Sequence, residues 1–182
     1  SAACEKIYLA KGRPSDNPLI LHISEIEELD RIVAEVSPQA KALMDAFWPG
    51  PLTMIFKKKD IVPAKATGGL DTVAVRFPNH PVARAIIRAA GLPIAAPSAN
   101  LSGLPSPTTA EHCIRDLTGK VSAVVDDGLV LVGRVGREAV LRFLDAGHQR
   151  ADPGHDVEAY GQIAVAPEQG FHAARVALRT VA

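Results

Sequence analysis

The sequence predicts an α/β domain, because short apolar runs of strand length alternate with segments that carry helix start and stop signals. Of its 182 residues, 47% are hydrophobic and 22% are charged, as in a single globular domain with at most a small appendage. A chain of this length buries enough surface to form a core without disulfides or metals. In the first two-thirds of the chain, strands are expected at residues 19–23, 52–56, 72–77, 93–96 and 121–125.

The first predicted helix is marked by a stop signal and the second by a start signal. The first ten residues are typical of a helix, which Lys11-Gly12-Arg13-Pro14 would end. Ser24 followed three residues later by Glu27 is the pattern of a capping box, which satisfies unpaired N–H groups at a helix start. Apolar residues then recur at helical spacing, so a helix is expected after Ser24.

Three further helices are marked by a signal at their first or last residues. Ser37-Pro38 puts proline at a first helical position, where its missing N–H group costs nothing. Residues 81–90 are expected to be helical and to stop at Gly91. Thr108 and Glu111 have the spacing of a second capping box and predict a short helix.

Charge and cysteine content exclude several classes of protein. Twenty basic residues balance twenty acidic ones, so a strong overall cationic field is excluded while a local basic patch is not. Cys4 and Cys113 form no CxxC pair, and we expect neither a disulfide framework nor a structural metal. The sequence has no apolar run of membrane-spanning length and does not start with a signal segment, so the expected location is the cytoplasm.

The residue pattern changes in the last third of the chain. After Gly133, arginine and glycine mix without a clean helical or strand period. We therefore expect a main domain over residues 1–133 and an atypical C-terminal segment of unknown role over 134–182. Within that segment, a strand is expected at 162–165 and a helix at 168 to about 179.

Two basic residues follow the first predicted helix. Lys11 and Arg13 lie two apart in a Gly/Pro-containing loop, so both charged groups could converge on an anion such as a phosphate. An isolated K-x-R is, however, more often a solvated basic turn. His22 ends an apolar strand, and such a residue is more often a satisfied core histidine than a functional group.

Polar residues also lie on the predicted strand at 72–77. Because side chains alternate along a strand, Thr72, Ala74 and Arg76 share one face. Arg76 is either an exposed strand residue or a partly buried cation that needs an anionic neighbour, since burying it alone would be costly.

A polar loop follows the strand at 93–96. Its hydroxyl and amide side chains and its free N–H groups, next to a helix start, suit phosphate and ribose recognition. A plain Ser/Pro surface loop is at least as consistent with this composition. The sequence contains no GxxxxGK[ST], GxGxxG or HExxH pattern and no Ser-His-acid arrangement. The polar residues considered are Ser98, Asn100, Ser102, Ser106, Thr108 and Thr109.

From about Glu5 to Gly128, the chain resembles the YrdC/Sua5 family of L-threonylcarbamoyladenylate synthases. The segments that carry the resemblance are, in this order, KGRPSDNPLILHI, FWPGPLTMI, GLDTVAVRFPNHP and APSANLSGLPSPTTAEH. The resemblance implies a twisted, mixed sheet with flanking helices around a concave basic cavity. It also implies that ATP, L-threonine and bicarbonate give threonylcarbamoyl-AMP and pyrophosphate, for the t6A modification of tRNA adenosine 37. Mg2+ is expected with ATP as substrate, with no metal ligands from the chain, and tRNA and the t6A transferase machinery are candidate partners.

The resemblance also assigns residues. In the implied reaction a carbamate of threonine attacks the α-phosphorus of ATP, which needs positioning and charge neutralisation more than a protein nucleophile. Lys11 and Arg13 match the family's basic pair, and we assign them the catalytic charge neutralisation. The implied ATP contacts are Lys11, Arg13, Asn17, Thr72, Ser98, Asn100 and Ser106. The implied threonine contacts are His22, Arg76 and the backbone of Ala96.

The sequence departs from the family pattern in two places. Family members begin with a strand and a PTxTxYGL-like segment, and this sequence starts after it, so an incomplete sheet and pocket are expected. Gly136 stands where an EST-like serine is expected. A non-catalytic nucleotide- or RNA-binding module of the same fold is therefore the alternative function. A purely structural role would leave the loop from Ser98 to Ser106 unexplained.

Overall fold

The computed structural model describes residues 2–127 and the backbone of two short strands near the C-terminus. The helices are α1 (Ala2–Lys11), α2 (Leu29–Ile32), α3 (Pro38–Phe47), α4 (Pro81–Ala90) and α5 (Ala110–Leu117). The strands are β1 (Ile20–His22), β2 (Thr53–Lys57), β3 (Thr72–Arg76), β4 (Ile94–Ala96), β5 (Ala123–Val125), β6 (Ala164–Val165) and β7 (Leu178–Thr180).

The main sheet has four strands in the order β2-β3-β1-β4. Strands β1 and β3 are parallel, whereas β2 and β4 each pair antiparallel with their neighbours. The expected α/β fold with a mixed sheet and flanking helices is thus confirmed. A second, three-stranded sheet in the order β6-β5-β7 is antiparallel throughout.

The two faces of the main sheet differ in chemistry. Because residues alternate between faces along a strand and paired residues share a face, one face carries the buried apolar core residues and the other carries the polar side chains among small and aliphatic ones. The apolar face packs against α2 and α3 in a core that includes Leu21, Phe56, Val73, Val75, Leu29, Ile32 and Met44. The polar face is the one on which Thr72, Ala74 and Arg76 lie, as the alternation predicts.

Two smaller apolar clusters hold α1 and α5. Cys4 and Tyr8 of α1 pack with Leu19 and Ala66, next to the first strand. Cys113 and Leu117 of α5 pack with Ala99, Ala110 and Val124, so α5 fixes the loop after β4 to strand β5. These clusters position the segments that carry the candidate site.

Two predicted helix starts are displaced by one residue. The first of these starts belongs to a 3-10 helix over Ile26–Glu28, which leads directly into α2. Its N-cap is Glu25 in extended backbone, and the carboxylate of Glu28 accepts from the N–H groups of Ser24 at 2.7 Å and Glu25 at 3.4 Å. Glu28 rather than Glu27 therefore caps this start, because its Oε2 reaches back to both N–H groups.

The helix starts at Ser37 and Thr109 each have a side-chain oxygen that accepts a hydrogen bond from a backbone N–H group of the first turn. Ser37 caps α3 as predicted, with Oγ accepting from Ala40 N at 3.1 Å. The second predicted capping box is wrong: Thr109 rather than Thr108 is the N-cap of α5, accepting from His112 N at 3.4 Å. Thr109 has the extended backbone that a cap needs.

The C-terminal predictions fall mostly outside the described residues. A strand is confirmed at Ala164–Val165, within the predicted 162–165. The predicted helix from 168 to 179 is wrong at its end, because Leu178–Thr180 pairs antiparallel with β5 and a non-local ladder overrides local periodicity. The boundary at Gly133 and the position of Gly136 lie outside the described residues. None of the helices in the described part of the chain is both long enough and apolar enough to cross a membrane.

Candidate functional site

A row of polar side chains crosses the polar face of the main sheet. His22 lies opposite Arg76 in the parallel pair, and Arg76 lies opposite Thr53 in the antiparallel pair. Ala96 lies opposite Ile20, two residues before His22 and therefore on the same face. The structure thus brings every residue expected at the threonine onto one face, with Thr72 further along β3.

Arg76 is a buried cation in this row. Its side chain is 3% exposed, and Nη2 donates to the carbonyl oxygen of Pro51 at 2.6 Å. Burial lowers the pKa of Arg76 to about 10, so the guanidinium remains charged at neutral pH. A buried guanidinium is well suited to bind a carboxylate.

His22 is buried beside that cation. Burial first, and the charge of Arg76 second, lower the pKa of His22 to about 4, while hydrogen bonds to Ile20 and Ile94 oppose the shift. The distance from Nδ1 to the carbonyl oxygen of Ile20 is 3.2 Å. His22 is therefore neutral at pH 7 and adds no second charge to the row.

Lys11 lies at the end of α1 rather than in the loop after it. The expectation of an exposed loop charge is wrong, since Lys11 is 5% exposed. Its Nζ donates to the carbonyl oxygens of Ser98 and Asn100, and its own carbonyl accepts from Ser102 N at 2.9 Å. Lys11 therefore anchors the S-x-N loop to the C-terminus of α1.

The charge of Lys11 is set by its surroundings. Burial first, and the charge of Arg13 second, lower the pKa of Lys11 to about 8, whereas Asp116 opposes the shift. Lys11 is thus protonated at neutral pH but closer to neutrality than an exposed lysine. Its ammonium places positive charge directly under the loop that precedes α5.

Arg13 has different partners from Lys11. Its Nη2 donates to Asn17 Oδ1 at 2.5 Å and to Pro18 O at 3.0 Å, whereas Lys11 donates to the carbonyl oxygens of Ser98 and Asn100. Burial lowers the pKa of Arg13. An open cavity of about 700 Å3 borders Arg13 and is lined in part by Glu5, Tyr8, Gly12, Ser15 and Lys65.

Asn100 stabilises the S-x-N loop from within. It is 4% exposed, and Nδ2 donates to the carbonyl oxygens of Leu101 at 2.9 Å and Leu104 at 2.6 Å. Its Oδ1 is buried without a hydrogen-bond partner among the described residues. Ser98 and Ser106, at either end of this loop, are partly exposed.

Sequence reasoning missed Asp116, which supports the same loop. It is 6% exposed, and Oδ2 accepts from Leu101 N at 3.3 Å. The available signal was its spacing from Ala110 and Cys113, three residues per step, which places a carboxylate on the buried face of α5. The sequence reasoning also left out Thr53, whose place opposite Arg76 is seen only in the strand register.

Fold and site together define an α/β domain with one charged sheet face and a lysine-anchored loop beside it. The model of the Sua5/YciO/YrdC family, described as "Telomere recombination", matches residues 1–141. The chain belongs to this family, which confirms the resemblance seen in its motifs.

Relatives and a solved structure agree with this assignment. Threonylcarbamoyl-AMP synthase of Bacillus subtilis (strain 168) is 55% identical over 132 residues, which are 72% of this chain and 38% of the relative. That of Pyrococcus abyssi (strain GE5 / Orsay) is 50% identical over 131 residues, again 72% and 38%. The crystal structure of P. abyssi Sua5 complexed with L-threonine matches with a TM-score of 0.71 and 49% identity, covering 73% of this chain and 39% of that one. The chain thus spans less than half the length of these relatives.

Proposed function

We propose that this chain carries the activity for which its relatives are named, the synthesis of threonylcarbamoyl-AMP from L-threonine, bicarbonate and ATP. The observation that carries this proposal is the shared sheet face of His22, Arg76 and Ala96. The match to a Sua5 structure complexed with L-threonine supports it. The product would supply the t6A modification of tRNA in the cytoplasm, with tRNA and the t6A transferase machinery as downstream partners.

Arg76 would bind the carboxylate of threonine. A buried guanidinium forms strong charge-assisted hydrogen bonds to a carboxylate, and neutral His22 beside it adds no competing charge. The same cation lowers the pKa of a nearby amine, because a like charge disfavours the ammonium form. Neutral amine is the form that attacks CO2, which dehydration of bicarbonate supplies. The new N–C bond forms as one C=O π bond of CO2 opens, and the proton lost from nitrogen passes to solvent, which leaves the carbamate.

The second step is attack of the carbamate oxygen on the α-phosphorus of ATP. A new P–O bond forms as the bond to the pyrophosphate oxygen breaks, so no protein nucleophile is required. Arg13, beside the cavity, would neutralise phosphate charge. Lys11 would act through the S-x-N loop that it anchors. The remaining proposed nucleotide contacts are Asn17, Thr72, Ser98, Asn100 and Ser106.

Mg2+ would arrive with ATP. Within residues 2–127, no group of three or more His, Cys, Asp or Glu side chains is arranged to hold a metal ion. The proposal accordingly places Mg2+ on the phosphates of ATP and assigns none of its steps to a protein-bound metal.

The test measures pyrophosphate release from ATP and Mg2+ in bicarbonate buffer, with and without L-threonine. Threonine-dependent release is expected, and Arg76→Lys should raise the KM for threonine about tenfold or more, because the planar fork is lost. Arg31→Ala, an exposed arginine of α2, is the matched control and should leave KM unchanged. A folded chain that binds ATP but ignores threonine would overturn the proposal in favour of a nucleotide-binding module.

A further inference from the structure

Thr53 has two structural features that the proposed function does not use: its position opposite Arg76 and a buried hydroxyl without a partner among the described residues. It lies directly opposite Arg76 in the antiparallel pair of β2 and β3, so both side chains project from the polar face. Its Oγ1 is buried and has no hydrogen-bond partner among the described residues. A buried hydroxyl without a partner is costly, and native structures contain few of them.

The guanidinium of Arg76 extends towards the start of β2. Its Nη2 donates to the carbonyl oxygen of Pro51 at 2.6 Å, two residues before Thr53. A carboxylate bound by Arg76 would therefore be presented at the strand that carries the Thr53 hydroxyl. An ionised carboxylate offers about four acceptor sites, more than one guanidinium fork uses.

We propose that Thr53 is a further substrate-binding residue, whose Oγ1 donates a hydrogen bond to the same substrate carboxylate that Arg76 binds. This inference rests on the proposed function. The hydroxyl is shielded from water, so a hydrogen bond formed there is made in a low dielectric and discriminates strongly for a carboxylate acceptor. The free protein bears the cost of the unpaired hydroxyl, and the bound substrate relieves it.

A packing role and a binding role predict different results for Thr53→Val, which keeps the shape and removes the hydroxyl. If Thr53 binds the carboxylate, the KM for threonine rises about tenfold, the KM for ATP stays constant, and Tm is unchanged or higher because an unpaired polar group is lost. Thr53→Ser keeps the hydroxyl and should retain the parent KM for threonine.

Thr67→Val is the matched control. Thr67 is buried, and its Oγ1 donates to the carbonyl oxygens of Ala64 and Leu70, at 3.2 Å and 2.9 Å, whereas the Thr53 hydroxyl has no such partner in the described part of the chain. This variant should lower Tm and leave the KM for threonine unchanged, the reverse of Thr53→Val.

The experiment measures threonine-dependent pyrophosphate release and thermal unfolding for the parent chain and the three variants. A parent KM for threonine in Thr53→Val would overturn the assignment of Thr53 alone, as would an equally large rise in Thr53→Ser. Absence of any threonine response in the parent chain would instead overturn the proposed function, and this inference with it.

Discussion

His22 and Arg76 lie opposite each other on parallel strands, which places a buried imidazole next to a buried guanidinium. Burial, reinforced by the neighbouring charge of Arg76, lowers the pKa of His22 and keeps the histidine neutral. The row they form with Thr53 is the feature from which the proposed threonine site is built. It also gives the protein a specific pH dependence.

The stability of the fold should fall as the pH drops from about 6.5 to about 4. The pKa of His22 is lowered from 6.5 to about 4, so in this window the unfolded chain binds a proton that the folded chain does not. Urea unfolding of the parent chain and of His22→Gln across pH 4 to 7 measures the effect. The variant should show a shallower slope, and equal slopes would contradict the assignment.

Replacing Lys11 with methionine should destabilise the fold by about 2 kcal/mol, since the carbonyl groups of Ser98 and Asn100 lose their donor. Hydrogen exchange at the amide of Ser102, which donates to Lys11 O, should become faster. Lys41→Met is the control, because the exposed Lys41–Asp45 pair contributes less than about 1 kcal/mol. Equal losses in the two variants would show that Lys11 does not anchor the loop.

Arg84 connects the ends of β1 and β3. Its Nη2 donates to Ser24 O at 3.1 Å, and its guanidinium carbon lies 4.8 Å from the centre of the Phe77 ring. Arg84→Ala should cost about 1 to 2 kcal/mol of unfolding free energy, and Arg84→Lys less because it keeps a cation over the ring. Chemical denaturation checks this, with exposed Arg31→Ala expected within about 0.5 kcal/mol of the parent.

Gly68 and Gly69 form a matched pair for testing backbone constraints near the Arg13 loop. Both have positive φ, at 59° and 85°, so alanine at either position costs about 1 to 2 kcal/mol in strain. A Cβ at Gly68 would also clash with the carbonyl oxygen of Asp16, whereas a Cβ at Gly69 would face open space. Gly68→Ala should therefore unfold at a clearly lower urea concentration than Gly69→Ala. Equal urea midpoints for the two variants would mean that the loop at Asp16 shifts to accommodate the added Cβ without a cost in stability.

Local sequence signals were sufficient where one residue decides a local geometry. The α3 start at Ser37-Pro38 and the α4 end at Gly91, where φ is 66°, follow from caps that work within a single turn. The helix starts near Ser24 and Thr108 were each predicted one residue early. There the choice between adjacent caps depends on where the preceding extended backbone ends.

The sequence by itself determined the α/β class, the alternation that puts Thr72 and Arg76 on one face, and the family motifs. Only the tertiary structure decided that the Lys11 ammonium is buried under the S-x-N loop and that Asp116 supports that loop. It alone also set Thr53 beside Arg76. The physical reason is range: alternation and capping act between near neighbours in the chain, whereas these contacts depend on strand register and helix docking across long loops.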